Sequence, residues 1–315
     1  MRPTDMPDSE PPALAAHGEF LAALAQQTLA GRRQAYRRIG PQRGPALVLL
    51  HGLMDNSAGF APLLAALEAE HALDRDIIAP DWRGHGESEA TPGAYWFPHY
   101  LADLETLLDT LGVAEPVVLI GHSMGGQVAS LYAGARPERV AGLVALDSLN
   151  VPDSDPNDSP ARYRDWLDTV TGRASQDPRV YASVADFAAR LARRYPELDN
   201  AALFYLARAW LRPTGDGRQC LGIDPAHHRR MPYGFRAAEA CALWRDVQCP
   251  VLCLDGGRSQ ATLFIDAETR AARRACFADI EHRTLAHCGH MLHVQDAPAV
   301  AERLHAFLRR IDART

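Results

Sequence analysis

Five short runs along the chain are apolar at nearly every position instead of every second one. They are Ala46–Leu50, Asp76–Pro80, Val117–Ile120, Val140–Leu146 and Pro250–Leu254. Continuous, β-branched-rich runs of this length read as strands buried on both faces. The intervals between them carry helical spacing. The spacing predicts helices over Ala58–Ala69, Tyr100–Leu111, Gln127–Ala135, Thr262–Arg274 and Pro298–Arg310. In the second of these, Leu101, Leu104, Leu107, Leu108 and Leu111 share one face, and Gly112 ends the run. Two weaker segments complete the pattern. Glu281–Ala286 reads as a last strand, and Leu29–Arg38, poor in apolar residues, as an edge strand or a pair of short strands. Alternating strands and helices with continuously apolar strands predict an α/β fold: a mostly parallel central sheet with helices flanking both faces.

The alternation stops at Ser148. Asn150–Pro160 is rich in Asp, Ser and Pro, and Ala161–Trp244 offers helical candidates (Tyr163–Val170, Ser183–Tyr195, Asn200–Leu211) without a strand of comparable quality. The expected organisation is a core made of residues 29–147 and 250–315, interrupted by a helical cap over 148–249. Met1–Pro12 is polar and proline-containing, and Ala13–Gln26 has the spacing of a short amphipathic helix, so 1–28 reads as an N-terminal arm.

Composition narrows the function. The 315 residues include 33 Lys and Arg against 39 Asp and Glu, a formal net charge of −6. There is no basic stripe of the kind that nucleic-acid backbones require. No apolar run approaches the ~18 residues of a membrane helix, and the start lacks the basic and apolar regions of a signal peptide. The six cysteines form no C-x-x-C pair and no zinc spacing. Buried free thiols and a cytoplasmic location are expected. The sequence implies no cofactor, no metal, no nucleic-acid or membrane partner and no particular oligomeric state.

Candidate chemistry begins at Gly121-His122-Ser123-Met124-Gly125-Gly126. Here a strand runs into a sharp glycine-flanked turn and then a helix, with a serine at the apex. Such a turn lifts the hydroxyl out of the sheet edge. His51, Asp81, Ser123 and Asp147 each stand just past a strand, at the sheet edge where ligands of such folds bind. A serine nucleophile needs a base, an acid to orient it and donors for an oxyanion. The base is expected at His290, in the Gly289-His290 turn after the last strand. His287 and His293 are its rivals, and the three together could suggest metal ligands, but no carboxylate-rich segment accompanies them.

His51-Gly52, Asp81-Trp82-Arg83-Gly84-His85-Gly86-Glu87-Ser88, the serine turn and Gly289-His290, in this order and spacing, resemble the α/β-hydrolase superfamily over nearly the whole chain from about residue 30. His51-Gly52-Leu53-Met54-Asp55-Asn56 and Leu146-Asp147-Ser148 are most similar to its serine-hydrolase-like members. The resemblance implies the α/β-hydrolase fold and a Ser-His-acid enzyme with a cap. It implies an oxyanion hole of the backbone N–H groups of Leu53 and Met124, with their side chains in the pocket. His51 and His85 would buttress loops, and His122 would point away from the serine. The acid is open on these grounds. The family usually carries it in the loop after the strand Val251–Leu254, where this chain has Ser259 and Gln260. Some members carry it at the preceding strand end, which makes Asp147 the first candidate. Asp255 is the alternative acid, and the absence of a conventional acid a third possibility. The expected substrate is a small or medium acyl compound: a carboxylic ester, lactone or thioester. Side chains such as Trp166, Phe204, Tyr205 and Trp210 would come from the cap. The competing readings are a carbon–carbon bond hydrolase and a slow-turnover receptor-like binder.

Overall fold

The structure, a computed structural model, describes residues 18–41, 45–70, 73–174, 177–260 and 264–314. An eight-stranded sheet, ordered β1-β2-β4-β3-β5-β6-β10-β11, forms its centre. The strands are β1 Leu24–Leu29, β2 Arg32–Ile39, β3 Leu47–Leu50, β4 Ile77–Pro80, β5 Val117–His122, β6 Val140–Leu146, β10 Val251–Gly256 and β11 Ile280–Leu285. All neighbours from β4 to β11 are parallel; β1 and β2 are antiparallel additions at one edge. The helices are α1 Gly18–Ala22, α2 Ala61–Ala69, α3 Phe97–Thr110, α4 Met124–Ala135, α5 Ser159–Val170, α6 Val184–Arg194, α7 Asn200–Trp210, α8 Ala237–Arg245, α9 Ala267–Arg274, α10 Leu292–Gln295 and α11 Ala297–Asp312.

Successive strand residues face opposite sides, and both sides are dry. Leu47, Leu49, Val118 and Ile120 pack with Leu63, Leu64 and Leu67 of α2 and Leu304, Phe307 and Leu308 of α11. Val48, Leu50, Val117 and Leu119 pack with Leu104, Leu107 and Leu108 of α3 and Val128 and Tyr132 of α4. Such double burial requires the unbroken apolar runs seen in the sequence.

The structure corrects three expectations. The helix expected over Ala13–Gln26 ends at Ala22; Leu24–Leu29 is already a strand of the main sheet, and residues 13–17 lie outside the described set, as does the 1–12 arm. The sheet therefore begins within the segment read as an arm. β1 and β2 join through Ala30 (φ 48°) and Gly31 (φ 78°), consecutive left-handed residues that suit a tight hairpin. The 148–249 segment, in turn, holds the helices α5 to α8 but also a three-stranded antiparallel sheet, ordered β7-β9-β8, of β7 Val180–Tyr181, β8 Leu211–Pro213 and β9 Gln219–Leu221. Strands of two or three residues are too short to show a period. The helix expected from Thr262 begins at Ala267, where the Asp266 side chain caps it; 262 and 263 lie outside the described residues.

The inserted segment is anchored to the sheet's loops. Leu203, Leu206 and Trp210 of α7 share the hydrophobic cluster of α2 and α11. The Tyr205 hydroxyl donates to the Ala58 carbonyl (2.7 Å), and the Trp210 indole N–H donates to Asp55 (2.6 Å). All six cysteines are free. No helix among the described residues is long and apolar enough to cross a membrane.

Candidate active site

Ser123 sits between β5 and α4 with φ 50° and ψ −116°. A non-glycine residue in this region is strained by ~1–3 kcal/mol, so its surroundings must hold it. Its N–H donates to the Leu146 carbonyl (2.9 Å), and its carbonyl accepts from the Ser148 hydroxyl (2.8 Å) and the Gln127 N–H (3.1 Å). The flanking glycines are needed for space. A Cβ on Gly121 would stand 2.4 Å from the Gly126 nitrogen, and one on Gly125 1.9 Å from the Leu50 carbonyl oxygen. The turn thus presses α4 against the ends of β3 and β5 and turns the serine side chain outward.

Ser123 shares a cavity of about 390 Å³ with His290. The Nδ1–H of His290 donates to Asp147 Oδ2 (2.5 Å), which leaves Nε2 as the basic nitrogen. The Asp147 side chain is fully buried. It also accepts from the Ser259 hydroxyl (2.5 Å) and the Gly256 N–H (3.0 Å). The pair spans an intervening strand, because β10 lies between β6, which precedes Asp147, and β11, which precedes His290. Glycines clear the way: a Cβ on Gly256 would lie 2.2 Å from the Gly289 carbonyl oxygen, and one on Gly257 2.7 Å from Ala286. Asp147 adopts a left-handed backbone (φ 44°) at this crossing.

The other sequence candidates lie elsewhere. Asp255, the alternative acid, meets His282 Nε2 (2.9 Å) and Arg274 (3.8 Å), not His290. It continues β10 on the side of Cys253, whose thiol lies 3.8 Å from its Oδ1, whereas Asp147 leaves β6 with a left-handed backbone (φ 44°) that turns its carboxylate to His290. His287 pairs with Asp296 (2.6 Å), and His293 is fully buried against Phe60 and His122. His51 buttresses a loop as expected: its Nδ1–H donates to the Gly52 carbonyl (2.8 Å) and its Nε2 accepts from the Trp82 N–H (2.9 Å). Burial holds its pKa at about 3. His85 is likewise buried, with its pKa pushed down by desolvation.

The backbone N–H groups of Leu53 and Met124 have no acceptor among the described residues, so both are free to serve an oxyanion. The side chain of Leu53 lines the cavity; that of Met124 packs instead against the cluster beneath α4. The expected cap residues are also absent from the cavity wall. Trp166 donates its indole N–H to Gly93, Phe204 packs on the core, and Tyr205 and Trp210 hold Ala58 and Asp55. The wall is instead formed by Met54, Tyr195 and Phe264, with Arg194, Glu197, Arg258 and Gln260 as its polar members. Tyr195 and Glu197 come from the α6–α7 connection, to which the sequence assigns no functional role.

Behind the base lies a buried polar group that spacing alone did not reveal. His122 does not merely point away from Ser123: its Nε2–H donates to the His290 carbonyl (2.9 Å). Its Nδ1, both nitrogens of His293 and Oδ2 of Asp55 are buried without partners among the described residues. Their ligand atoms lie within 4.8 Å of one another. Desolvation drives both imidazoles toward the neutral form, His293 to about 3. Desolvation also raises the Asp55 carboxyl to about 7, against the opposing hydrogen bonds from Asn56 and Trp210.

Ser123 on its strand-to-helix turn and His290 paired with the buried Asp147 thus meet at one cavity. Residues 45–297 match the family model described as the alpha/beta hydrolase fold, and the chain belongs to that family. It is 29% identical over 217 residues to 2-(acetamidomethylene)succinate hydrolase of Mesorhizobium japonicum, covering 69% of this chain and 72% of that protein. It is 30% identical over 232 residues to a serine hydrolase-like protein of Dictyostelium discoideum, 70% of this chain and 62% of that one. Among solved structures, a hypothetical protein of Pseudomonas aeruginosa PAO1 superposes with a TM-score of 0.78 at 27% identity, over 91% of this chain and 99% of that chain.

Two outcomes follow from the site's packing. Gly125→Ala, forced against the Leu50 carbonyl, is expected to lower unfolding free energy by ~1–3 kcal/mol or more in denaturant titration. Gly215→Ala, with nothing within 4 Å of the new Cβ, should stay within ~0.5 kcal/mol. The raised Asp55 pKa gives a signed pH effect. From its ordinary value of 3.8 up to about 7 the folded chain keeps a proton that the unfolded chain releases, so this group's contribution to stability falls as pH rises. Between pH 4.5 and 6.5 the wild type should lose stability with rising pH more steeply than Asp55→Asn, by up to ~1.4 kcal/mol per pH unit.

Proposed function

We propose that this protein is a serine hydrolase that cleaves a small or medium acyl substrate, a carboxylic ester, lactone or thioester, through an acyl-enzyme on Ser123. The observation that carries this reading is the arrangement of Ser123, His290 and Asp147 around one cavity, with the imidazole tautomer set by the carboxylate. Nε2 of His290 takes the Ser123 proton as Oγ attacks the substrate carbonyl. The N–H groups of Leu53 and Met124 receive the oxyanion, each typically worth about 3 kcal/mol in the transition state. The imidazolium then protonates the leaving group. Water, deprotonated by the same nitrogen, attacks the acyl-enzyme carbonyl and frees the acid and Ser123. Asp147 holds the ring and stabilises its cation without taking the proton. The names of the relatives, a hydrolase and a serine hydrolase-like protein, favour hydrolysis, and the cavity's volume suits a small-molecule substrate.

A chromogenic acyl ester mixed with enzyme should give a burst of product, and a fluorophosphonate probe should label the protein. Ser123→Ala is expected to abolish both; a wild-type chain with neither burst nor label would contradict the proposal. Asp147→Asn should lower turnover by up to ~10⁴-fold with the fold intact, whereas Asp255→Asn should leave it within a few-fold. Equal turnover of Asp147→Asn and wild type would remove Asp147 from the mechanism.

A further inference from the structure

The cavity beside Ser123 has an uneven wall. Leu53, Met54 and Phe264 offer apolar surface, while Arg194 and Arg258 bring two guanidinium groups to the same space. Neither arginine has a carboxylate partner among the described residues, and the Arg194 guanidinium lies over the Tyr195 ring, 5.7 Å from its centroid. Glu197, the acidic member of the wall, lies against Gly289 at the base turn, where a Cβ on that glycine would meet its carboxyl carbon at 2.8 Å.

The setting of Arg258 distinguishes it from an ordinary surface arginine. Its own N–H donates to the Cys288 carbonyl (2.8 Å), and that of Gly257 to the Leu285 carbonyl (2.9 Å). The next residue, Ser259, donates its hydroxyl to Asp147. The loop that carries this guanidinium is therefore tied both to the acid and to the turn that carries His290. Glu197 can offset one of the two guanidinium charges on this wall, which leaves one to oppose the imidazolium unless a further anion balances it. Guanidinium groups receive carboxylates through paired N–H donors, with directional preference that a lone ammonium lacks.

We infer that the substrate is an acyl compound carrying a carboxylate, received by Arg258 with help from Arg194 while its carbon chain lies along Leu53, Met54 and Phe264. This inference rests on the serine-hydrolase reading for its catalytic part, but the carboxylate site can be measured without turnover. The charge balance has a kinetic consequence. The bound carboxylate offsets the guanidinium field as His290 becomes cationic, so the preference should appear in kcat as well as in KM.

Two esters of matched chain length separate the cases: 4-nitrophenyl hemiadipate, with a terminal carboxylate, and 4-nitrophenyl hexanoate, without one. In wild type the ratio of kcat/KM, hemiadipate over hexanoate, is expected to be about 10 or more, the scale of a charge-assisted hydrogen bond. It should fall with added salt, because the partners are exposed. Arg258→Gln should reduce the ratio about 10-fold, and Arg194→Gln by less. Calorimetry of adipate with Ser123→Ala supplies the second reading: binding is expected, and Arg258→Gln on that background should weaken it about 10-fold. A ratio near one that Arg258→Gln does not change, with both esters turned over, overturns the carboxylate inference while the hydrolase reading stands. Adipate binding that depends on Arg258, with neither ester cleaved and no probe label, upholds the carboxylate site and overturns the hydrolase reading. Absence of adipate binding to Ser123→Ala overturns the inference whatever the esters do.

Discussion

The arrangement depends on one hydrogen bond, from His290 to Asp147. Its partners come from strands that are not neighbours, and the chain must clear the end of β10 to make it. That requirement accounts for the local sequence. Gly256 and Gly257 give up side chains where the base turn passes over β10, and Asp147 takes a left-handed backbone to face it. The carboxylate is then buried, so it needs more than one donor to remain an acceptor. The Gly256 N–H and the Ser259 hydroxyl supply them. The next residue, Ser148, ties the same strand end to the Ser123 carbonyl. Asp147, Ser123 and His290 are thus held by one set of strand ends rather than by three independent loops.

A second layer lies beneath the base. His122, His293 and Asp55 are excluded from water, and desolvation pushes each of them toward its neutral state. A charged group there would act through low dielectric on an imidazole that must itself become cationic. His122 instead offers a hydrogen bond to the His290 backbone, and Asp55 accepts from Trp210 of the inserted segment. The insertion is therefore connected to the floor of the site as well as to its wall.

The parallel sheet was legible because double burial writes itself as unbroken apolar runs, as in Leu47–Leu50 and Val117–Ile120. The serine turn was legible because its glycines are dictated by contacts of 1.9 and 2.4 Å that no side chain survives. Asp147 could be ranked above Asp255 but not singled out, because the two follow paired residues, Leu146 and Leu254, on adjacent strands and only the left-handed backbone at Asp147 separates their directions. Ser259 read as a missing acid; its role as a donor to the acid depends on a contact across 112 positions. The cavity wall was least legible. Trp166, Phe204, Tyr205 and Trp210 have the composition of a pocket but serve packing and loop anchoring, while Arg194, Glu197 and Arg258 reach it through tertiary folding alone. The small β7-β9-β8 sheet is too short to leave a periodic trace.

The central claim is that Asp147, and not Asp255, sets the tautomer of His290. Proton NMR of the exchangeable imidazole N–H resonances tests it most directly, with the His290 signal assigned by its loss in His290→Ala. The account predicts a downfield His290 Nδ1–H resonance in the wild type that disappears or moves strongly upfield in Asp147→Asn and persists in Asp255→Asn. A signal unchanged in Asp147→Asn, or lost in Asp255→Asn alone, would contradict it.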